Sequence, residues 1–242
     1  MSMKKKLVVL TGAGVSAESG ISTFRDSNGL WENYRVEDVA SIEGWYRNPA
    51  LMLKFYNQRR VQLADVRPNA AHYAIAELEK DWDVTVVTQN VDNLHERAGS
   101  TRIFHLHGEL TKVRPENCCN ESDGYSEESV FDIGYDTIEI GDLAPNGAQL
   151  RPHIVWFGEA VPYIEAAIDH VENADVLLIV GTSLQVYPAA GLYAYAKSST
   201  PIYIIDPGEV RVHDGRITHI KDVATKGMET FIKEIKISEI VL

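Results

Sequence analysis

One stretch near the start of the chain limits its fold more than any other: residues 7–17, which read LVVLTGAGVSA. Four apolar residues that favour a strand lead into a glycine turn, and the alanine and serine residues behind it can begin a helix. This order of strand, G-x-G-x-x-G/A and helix is typical of the phosphate-binding corner of a dinucleotide-binding fold. Gly12 permits the tight turn, and Gly14, which lacks a Cβ atom, lets backbone N–H groups approach a pyrophosphate. Taken alone, the motif also fits an ordinary strand-to-helix turn.

Length and charge narrow the class of protein. A chain of 242 residues with 45% apolar residues can bury one large α/β core and a smaller inserted module. The formal charge of −12 disfavours specific nucleic acid and anionic membranes as partners. No apolar run approaches the ~20 residues of a membrane span, and the N-terminal run is too short for a signal peptide. The two cysteines, Cys118 and Cys119, are adjacent, which predicts a reducing compartment, the cytoplasm.

Alternating strand and helix patterns predict an α/β fold, a parallel sheet with helices on both faces. Beyond the first strand, strands are predicted at residues 83–88, 103–108, 174–180 and 201–206, and helices at residues 49–64 and 70–80. The strand at 83–88 is expected beside the first one. Four strand ends carry glycine or a hydrogen-bonding side chain: Gly12, Thr88, Gly181 and Asp206. Because open α/β sheets bind ligands at the carboxyl ends of their strands, one ligand crevice along that edge is predicted.

Two segments depart from a simple dinucleotide-binding pattern. A dehydrogenase would show a second strand ending in an acid about 20 residues after the glycines. Glu32 and Glu37 lie near that distance, but they follow a polar, glycine-rich loop and belong to a long insertion without strands, which disfavours a dehydrogenase. Residues 116–142 hold nine acids and no Lys or Arg. This segment is expected to be a solvated surface lobe, the alternative being a face that attracts basic partners.

Six motifs follow one another in an order that is specific as a set. They are GAGVS at residues 12–16, GI and FR within 20–25, TQNVD at 88–92, LHG at 106–108, FGE at 157–159 and GTS at 181–183. In order and rough spacing they resemble the sirtuins, the NAD-dependent protein-lysine deacylases, from residue 7 to the region of Val223. The expected architecture is a Rossmann-like NAD-binding domain formed by residues 1–34, 71–108 and 152–242, with a small domain formed by residues 35–70 and 109–151.

The resemblance also implies a cofactor, a substrate and the residues that contact them. The enzyme would transfer the acyl group from an acylated lysine side chain of a protein to the ADP-ribose part of NAD, with release of nicotinamide. The implied cofactor contacts are Gly12, Ala13, Gly14, Ser16, Ala17, Phe24, Arg25, Gln89, Asn90, Asp92, Gly181, Thr182, Ser183, Asp206 and Val223. The implied substrate contacts, besides two discussed below, are Val155, Phe157, Gly158 and Glu159. Ser16, Asn90 and Asp92 are short polar side chains suited to a carboxamide and a ribose, although Asn90 and Asp92 alone would also fit turn caps.

His107, together with Asn90, is the implied catalytic residue. Its ordinary pKa near 6.5 lets an imidazole act as a general base at neutral pH. In the family, the matching histidine accepts a proton from the ribose hydroxyls. His105 is expected on the same face of the strand, so a two-histidine metal site is the alternative. No carboxylate or cysteine is placed by the sequence to complete such a site.

The chain departs from most sirtuins in its cysteines and at Asp206. Most members carry two CxxC pairs between the catalytic histidine and the FGE motif, whereas this interval holds only Cys118 and Cys119. Adjacent cysteines cannot supply four thiolates around zinc, so no structural zinc is expected. The small lobe is then expected to be held by its own apolar residues, which are Val130, Phe131, Ile133, Tyr135, Ile138 and Ile140. Asp206 stands where many relatives have asparagine and cannot donate an amide N–H.

Tyr56 and Arg59 indicate which acyl group is removed. They lie three residues apart on a predicted helix, so they share a face, and they resemble the Tyr-x-x-Arg pair of the desuccinylase and demalonylase class, as Thr23 also does. A carboxylate entering an apolar tunnel needs a compensating charge, which an arginine fork supplies. A packed tyrosine with Arg59 paired to a surface acid is the alternative. The predicted function is therefore a deacylase for succinyl or malonyl groups, with acetyl as a further substrate; a protein ADP-ribosyltransferase and a non-catalytic NAD sensor are the alternatives.

Overall fold

The computed structural model describes residues 3–23, 30–31, 34–117, 119–120, 124–125, 129–210, 212 and 214–240. The predicted site residues Phe24 and Arg25, and also Cys118, lie outside the described residues. The strands are β1 (Lys6–Thr11), β2 (Leu30–Trp31), β3 (Tyr34–Arg35), β4 (Asp83–Thr88), β5 (Ile103–His105), β6 (Gly108–Pro115), β7 (Cys119–Asn120), β8 (Gly124–Tyr125), β9 (Phe131–Asp132), β10 (Leu150–Ile154), β11 (Val176–Val180), β12 (Ile202–Ile205) and β13 (Ile217–Ile220). The α-helices are α1 (Gly14–Ala17), α2 (Val36–Val39), α3 (Ile42–Arg47), α4 (Pro49–Asp65), α5 (Ala70–Glu77), α6 (Leu94–Ala98), α7 (Ile164–Glu172) and α8 (Ala224–Ile240), with 3-10 segments at Leu78–Lys80 and Ala189–Tyr195.

Six parallel strands form the main sheet in the order β13-β12-β11-β1-β4-β5. The chain first builds outward from β1 through β4 and β5, and then returns to the other side of β1 through β11, β12 and β13. The point where the strand order reverses therefore lies between β1 and β11, which is where doubly wound sheets bind their ligands. The expected Rossmann-like α/β sheet, with residues 83–88 beside the first strand, is confirmed.

Alternate side chains of β1 enter two different cores. Leu7 and Val9 belong to a core that includes buried side chains of α5 and α8, whereas Val8 and Leu10 face a core that includes α7. A strand places successive side chains on opposite faces, so a run of apolar residues like this one requires cover on both sides. Helices therefore lie on both faces of the sheet, as the sequence predicted.

A third core belongs to a smaller lobe built from α2, α3, α4 and an antiparallel sheet in the order β10-β6-β9. The insertion predicted to lack strands carries one short pair, β2 with β3. Of the apolar residues expected to hold the lobe, Phe131, Ile133 and Tyr135 pack against its core and Ile138 is buried in it. Ile140 is 57% exposed, so the expectation is wrong for that residue. The predicted domain boundaries stay a proposal, which this separate core supports.

Helix α4 begins where the sequence predicts because Asn48 accepts a hydrogen bond from the N–H of Leu51 at 3.1 Å and Pro49 occupies the first turn. Its fully buried Arg60 donates from Nε to the carbonyl oxygen of Leu110 on β6 at 2.8 Å. Strand β13 and helix α8 had no counterpart among the predicted elements. In the described part of the chain, no helix has the length and apolar character needed to cross a membrane.

Buried ion pairs hold β6 and β10 to the segment that follows β10. Glu159 accepts from Arg151 Nη1 and Nη2 at 2.7 and 2.9 Å, and Arg114 Nη2 lies 3.3 Å from the same carboxylate. The two arginine side chains are 1% and 2% exposed, and that of Glu159 is 13% exposed. Two buried guanidinium groups therefore share the carboxylate of Glu159.

Glu159→Gln removes this anion and keeps the shape of the side chain. We expect the free energy of unfolding to fall by about 3 kcal/mol, because the change removes the carboxylate that two buried guanidinium groups share. Urea-induced unfolding followed by tryptophan fluorescence measures the change. Glu165→Gln, at an exposed position on α7, is the matched control and should unfold like the unaltered protein. Equal midpoints for the two variants would contradict this account of the lobe.

Candidate active site

Two glycine loops touch at the point where the strand order reverses. The N–H of Gly14 donates to the carbonyl oxygen of Gly181 at 2.8 Å. A Cβ atom on Gly14 would lie 2.6 Å from Cα of Gly181, and one on Gly12 would lie 2.7 Å from Cβ of Thr182. The glycines after β1 therefore let the two loops pack together. The N–H of Gly12 donates to the carbonyl oxygen of Val180 at the end of β11, so Ala13 is the residue of the turn whose N–H makes no hydrogen bond within the described residues.

Three of the predicted cofactor residues form one buried hydrogen-bonded group beside this contact. Ser16 Oγ donates to Asp92 Oδ2 at 3.0 Å and accepts from Asn90 Nδ2 at 3.2 Å. Asp92 Oδ1 accepts from the N–H of Leu94 at 3.1 Å. Burial raises the pKa of Asp92, and the hydrogen bonds from Leu94 and Ser16 oppose the rise. The group presents an amide, a hydroxyl and a carboxyl at one place, as predicted from the motifs.

His72 supports this group and was missed by the sequence analysis. Its Nδ1 accepts from the N–H of Asn69 at 3.3 Å, so Nε2 carries the proton and faces Ser16 Oγ at 3.4 Å. Burial lowers the pKa of His72 to about 4, so the imidazole is neutral at pH 7. The available signal was its place three residues after Asn69, where it completes a capping box at the start of α5.

His107 lies in the turn after β5 and is neutral. Its Nδ1 is 3.0 Å from the carbonyl oxygen of Gln89, which can only accept, so Nδ1 carries the proton. Its Nε2 then holds a lone pair and has no hydrogen-bond partner among the residues described. Burial lowers the pKa of His107 below its ordinary 6.5, and the Gln89 carbonyl only partly opposes this. A neutral imidazole with an open acceptor nitrogen is the form that a general base requires.

His105, two residues before His107, differs from it in protonation state. Its Nδ1 is 2.9 Å from the carbonyl oxygen of Asn90 and its Nε2 is 2.7 Å from Glu96 Oε1, so both ring nitrogens face acceptors. Burial lowers the pKa of His105, but the hydrogen bond and charge of Glu96 outweigh it, and the pKa lies above its ordinary value. His105 and His107 thus each hold one carbonyl of the loop that follows β4.

His105 and His107 do not form the two-histidine metal site that the sequence left as an alternative. The structure does place two carboxylates near His105 that the sequence analysis did not find, since ligand atoms of Glu96, His105 and Glu109 lie within 4.8 Å of one another. Lys112 Nζ pairs with Glu109 Oε1 at 2.7 Å, and His105 pairs with Glu96. Ion pairs therefore account for the cluster, and His107 is not part of it.

The remaining predicted cofactor residues follow the same edge of the sheet. Gln89 Nε2 donates to Thr182 Oγ1 at 3.2 Å, which joins the loop after β4 to the loop after β11, where Ser183 also lies. Asp206 follows β12 and is buried, and its Oδ1 accepts from the N–H of Gly208 at 2.8 Å. Val223 lies before α8, and Ala17 is exposed at the end of α1.

The predicted substrate residues fall into two groups. Val155 lies beside His107, whose carbonyl oxygen accepts from the N–H of Val155 at 2.9 Å. Phe157 is 48% exposed, and its backbone pairs with the start of α3, where Gly158 adopts a φ of +93°. Glu159, in contrast, uses its carboxylate for the ion pairs of the small lobe, so its side chain is not directed to a ligand.

Tyr56 and Arg59 meet at a cavity next to the loop after β4. The cavity measures about 50 Å³ and is lined by Ile21, Ser22, Trp31, Tyr56, Arg59, Gln62, Leu63, Val91, Asp92 and Leu110. Nε and Nη1 of Arg59 are buried and have no hydrogen-bond partner in the described part of the chain. The guanidinium carbon lies 4.9 Å from the centroid of the Phe55 ring. Asp92 belongs both to this cavity and to the buried group with Ser16 and Asn90, so the two regions adjoin.

Comparison with known proteins decides the family. The model of the Sir2 family matches residues 12–188. The chain is 56% identical to the NAD-dependent protein deacylase of Bacteroides thetaiotaomicron over 234 residues, which is 96% of this chain and 97% of that protein. The chain belongs to the Sir2 family. The NAD-dependent protein deacylase of Helicobacter pylori is 55% identical over 209 residues, covering 86% of this chain and 87% of that protein.

Solved structures of sirtuins agree with this result. A Sir2 homologue in complex with NAD has a TM-score of 0.82 at 38% identity, covering 97% of this chain and 91% of that chain. A Sir2 protein with a deacetylated p53 peptide and 3′-O-acetyl-ADP-ribose has a TM-score of 0.78 at 28% identity, covering 96% and 94%. The predicted family, the enzyme class of NAD-dependent protein deacylase and the NAD cofactor are therefore confirmed.

The groups at the carboxyl ends of the parallel strands match the chemical groups of NAD. The loops after β1 and β11 close to within a hydrogen bond because glycines carry no Cβ atoms there, and the N–H of Ala13 remains as a donor. Asn90 and Ser16 offer an amide and a hydroxyl to a carboxamide, and His107 offers an acceptor to a sugar hydroxyl. These groups suit the parts of a dinucleotide in both size and polarity.

His107 should have a pKa below the ordinary value for histidine, and His105 should have a pKa above it. In an NMR titration of the ring protons, we expect a midpoint below 6.5 for His107 and above 6.5 for His105, for the reasons of burial and ion pairing given above. Glu96→Gln should lower the His105 midpoint, because the charge that raises it is gone. Glu77→Gln, an exposed change on α5, is the control. A shared midpoint for both histidines would show that the ion pair with Glu96 does not form.

Proposed function

We propose that this sirtuin removes acyl groups that end in a carboxylate, succinyl and malonyl, from lysine side chains of proteins. The acyl group passes to ADP-ribose and nicotinamide is released. The observation that carries the proposal is the cavity beside Asp92, where two nitrogens of Arg59 are buried without a partner among the described residues. An uncompensated buried charge is unfavourable, and an incoming carboxylate would supply the missing partner.

The surroundings of Arg59 favour an acidic acyl group over an acetyl group. Phe55 places its ring 4.9 Å from the guanidinium carbon of Arg59, and Tyr56 lines the same cavity. The guanidinium fork is planar and matches the two oxygens of a carboxylate, and the Phe55 ring beside it limits the orientations that it can take. An acetyl group ends in a methyl group and leaves the same nitrogens without an acceptor. Acetyl-lysine is therefore a weaker substrate in this proposal.

His107 is proposed as the general base, with Asn90 beside it. NAD, when bound, supplies the sugar carbon that accepts the acyl oxygen and the nicotinamide that leaves. The Gln89 carbonyl holds the Nδ1 proton of His107 and directs Nε2 away from the loop, so Nε2 accepts the proton of a ribose hydroxyl. Asn90 and Ser16 hold the carboxamide, and the burial of Asp92 excludes water from this corner.

The other predicted cofactor contacts and the substrate contacts Val155, Phe157 and Gly158 belong to the same proposal, with Val155 and Phe157 beside the acyl-lysine. Glu159 is not one of them, because its carboxylate is used in the ion pairs of the small lobe. The relative solved with a deacetylated p53 peptide supports protein lysines as the substrate class. The adjacent cysteines are the reason to place the enzyme in the cytoplasm.

Arg59→Met tests the acyl preference while keeping the stem of the side chain. On matched peptides that differ only in the acyl group, we expect kcat/KM for succinyl-lysine to fall about a hundredfold relative to acetyl-lysine, since a charge-assisted bidentate contact is lost. Lys54→Met removes an exposed cation from the same helix and should keep the ratio. Equal losses on both peptides after Arg59→Met would refute the role of Arg59.

His107→Ala tests the chemistry independently of the acyl group. Loss of a general base should reduce turnover on every acyl peptide by about 10²-fold or more. Because only the neutral imidazole accepts a proton and its pKa is lowered, kcat/KM of the unaltered enzyme should stay high at pH 6.5 and fall at lower pH.

Nicotinamide release from NAD separates the competing functions. Release that requires an acyl-lysine peptide supports deacylation. Release without the peptide would instead indicate ADP-ribosyl transfer or hydrolysis, and no release with any acyl peptide would indicate an NAD sensor.

A further inference from the structure

Trp156 makes a hydrogen bond that fixes the direction of the Tyr56 hydroxyl. The indole Nε1 lies 2.8 Å from Tyr56 Oη, and the two side chains are 2% and 0% exposed. An indole N–H can only donate, so Tyr56 Oη is the acceptor. The hydroxyl proton must then point elsewhere, and no acceptor for it is found among the described residues. Tyr56 also lines the cavity of Arg59, so that cavity is where a donor can be used.

We propose that Trp156 is a positioning residue for acyl specificity: its N–H occupies the acceptor side of Tyr56 Oη and leaves the hydroxyl proton as a donor to the acyl carboxylate. This inference rests on the proposed function of the Arg59 cavity and extends it to a residue 100 positions away along the chain. Without the indole N–H, the hydroxyl could turn toward any acceptor and would offer a carboxylate either a lone pair or a proton.

Neighbouring groups fix the position of the Trp156 indole. Trp45 stacks on it with ring centroids 5.5 Å apart. The Arg151 guanidinium carbon lies 3.5 Å from its ring centroid, and the same guanidinium group pairs with Glu159. The backbone N–H of Trp156 also donates to Glu159 Oε2 at 2.8 Å. Both the ring and the backbone of Trp156 are therefore fixed before any substrate binds.

Burial keeps the proton on the hydroxyl. It raises the pKa of Tyr56 well above its ordinary value, and the Trp156 hydrogen bond only partly opposes this. A tyrosinate, which would repel an acyl carboxylate, is thereby avoided at working pH. The fixed indole and the protonated hydroxyl together give the cavity one donor from Tyr56 in addition to those of Arg59.

The test is a double-mutant cycle of Trp156→Phe and Tyr56→Phe, measured as kcat/KM on succinyl- and acetyl-lysine peptides at saturating NAD. Trp156→Phe should lower the succinyl-to-acetyl ratio about tenfold, mainly through KM for the succinyl peptide. In the Tyr56→Phe background, the same change should alter the ratio by less than about twofold, because the hydroxyl that it positions is gone. Trp82→Phe is the matched control, since Trp82 packs in the core of the main sheet with α5 and α8, separate from the core of Tyr56 and Trp156, and the ratio should be kept.

If Trp156→Phe does not fold, replacing Trp156 by 3-benzothienylalanine removes the N–H with the ring shape kept, and the same ratio is expected to fall. An unchanged ratio in the singly altered protein, or equal effects with and without the Tyr56 hydroxyl, would overturn the inference. If that happens while the unaltered enzyme prefers succinyl-lysine and Arg59→Met removes the preference, the proposed function stands and only the role of Trp156 fails. An unaltered enzyme without that preference would overturn both.

Discussion

The candidate site depends on the close contact between two glycine loops at the carboxyl ends of β1 and β11. Gly14 and Gly181 approach so closely that a Cβ atom on either would overlap the backbone of the other loop. This contact sets where the loop after β4 can lie, because Gln89 reaches across to Thr182 beside the same glycines. Gln89 in turn holds His107 through its carbonyl group. Backbone packing at one point of the sheet edge therefore positions a side chain that comes from the far end of the sheet.

The loop after β4 binds two histidines that differ in protonation state. Its carbonyl oxygens at Gln89 and Asn90 accept from His107 and His105, respectively. The difference lies at the second ring nitrogen, which faces Glu96 in His105 and has no described partner in His107. One imidazole is thus a charged structural bridge and the other a neutral acceptor. Residue type alone could not distinguish them, because both histidines have the same ordinary pKa and lie two positions apart.

The sequence predicted well those features that follow from local patterns, such as apolar runs and glycine turns. The apolar run of β1, the other apolar runs and the order of six motifs were enough for five of the six strands of the main sheet and for the family. What it missed comes from pairs that are distant in the chain, such as Trp156 with Tyr56, or that come from separate elements, such as Glu96 on α6 with His105 on β5. Side-chain periodicity tells which face a residue occupies, but not which partner lies across from it. Ile140 was predicted to be buried because it is apolar, but its side chain is exposed.

The ion pairs of the small lobe also set the geometry of the cavity beside Tyr56 and Arg59. A buried ion pair adds little net stability compared with well-packed apolar residues, but it strongly penalises any arrangement that separates its charges. The carboxylate of Glu159 binds Arg151, which lies over the face of Trp156, and also accepts from the backbone N–H of Trp156. The same charges that hold β6 and β10 together therefore fix the indole that contacts Tyr56. The geometry of the cavity beside Tyr56 and Arg59 therefore depends on the same ion pairs that hold the lobe together.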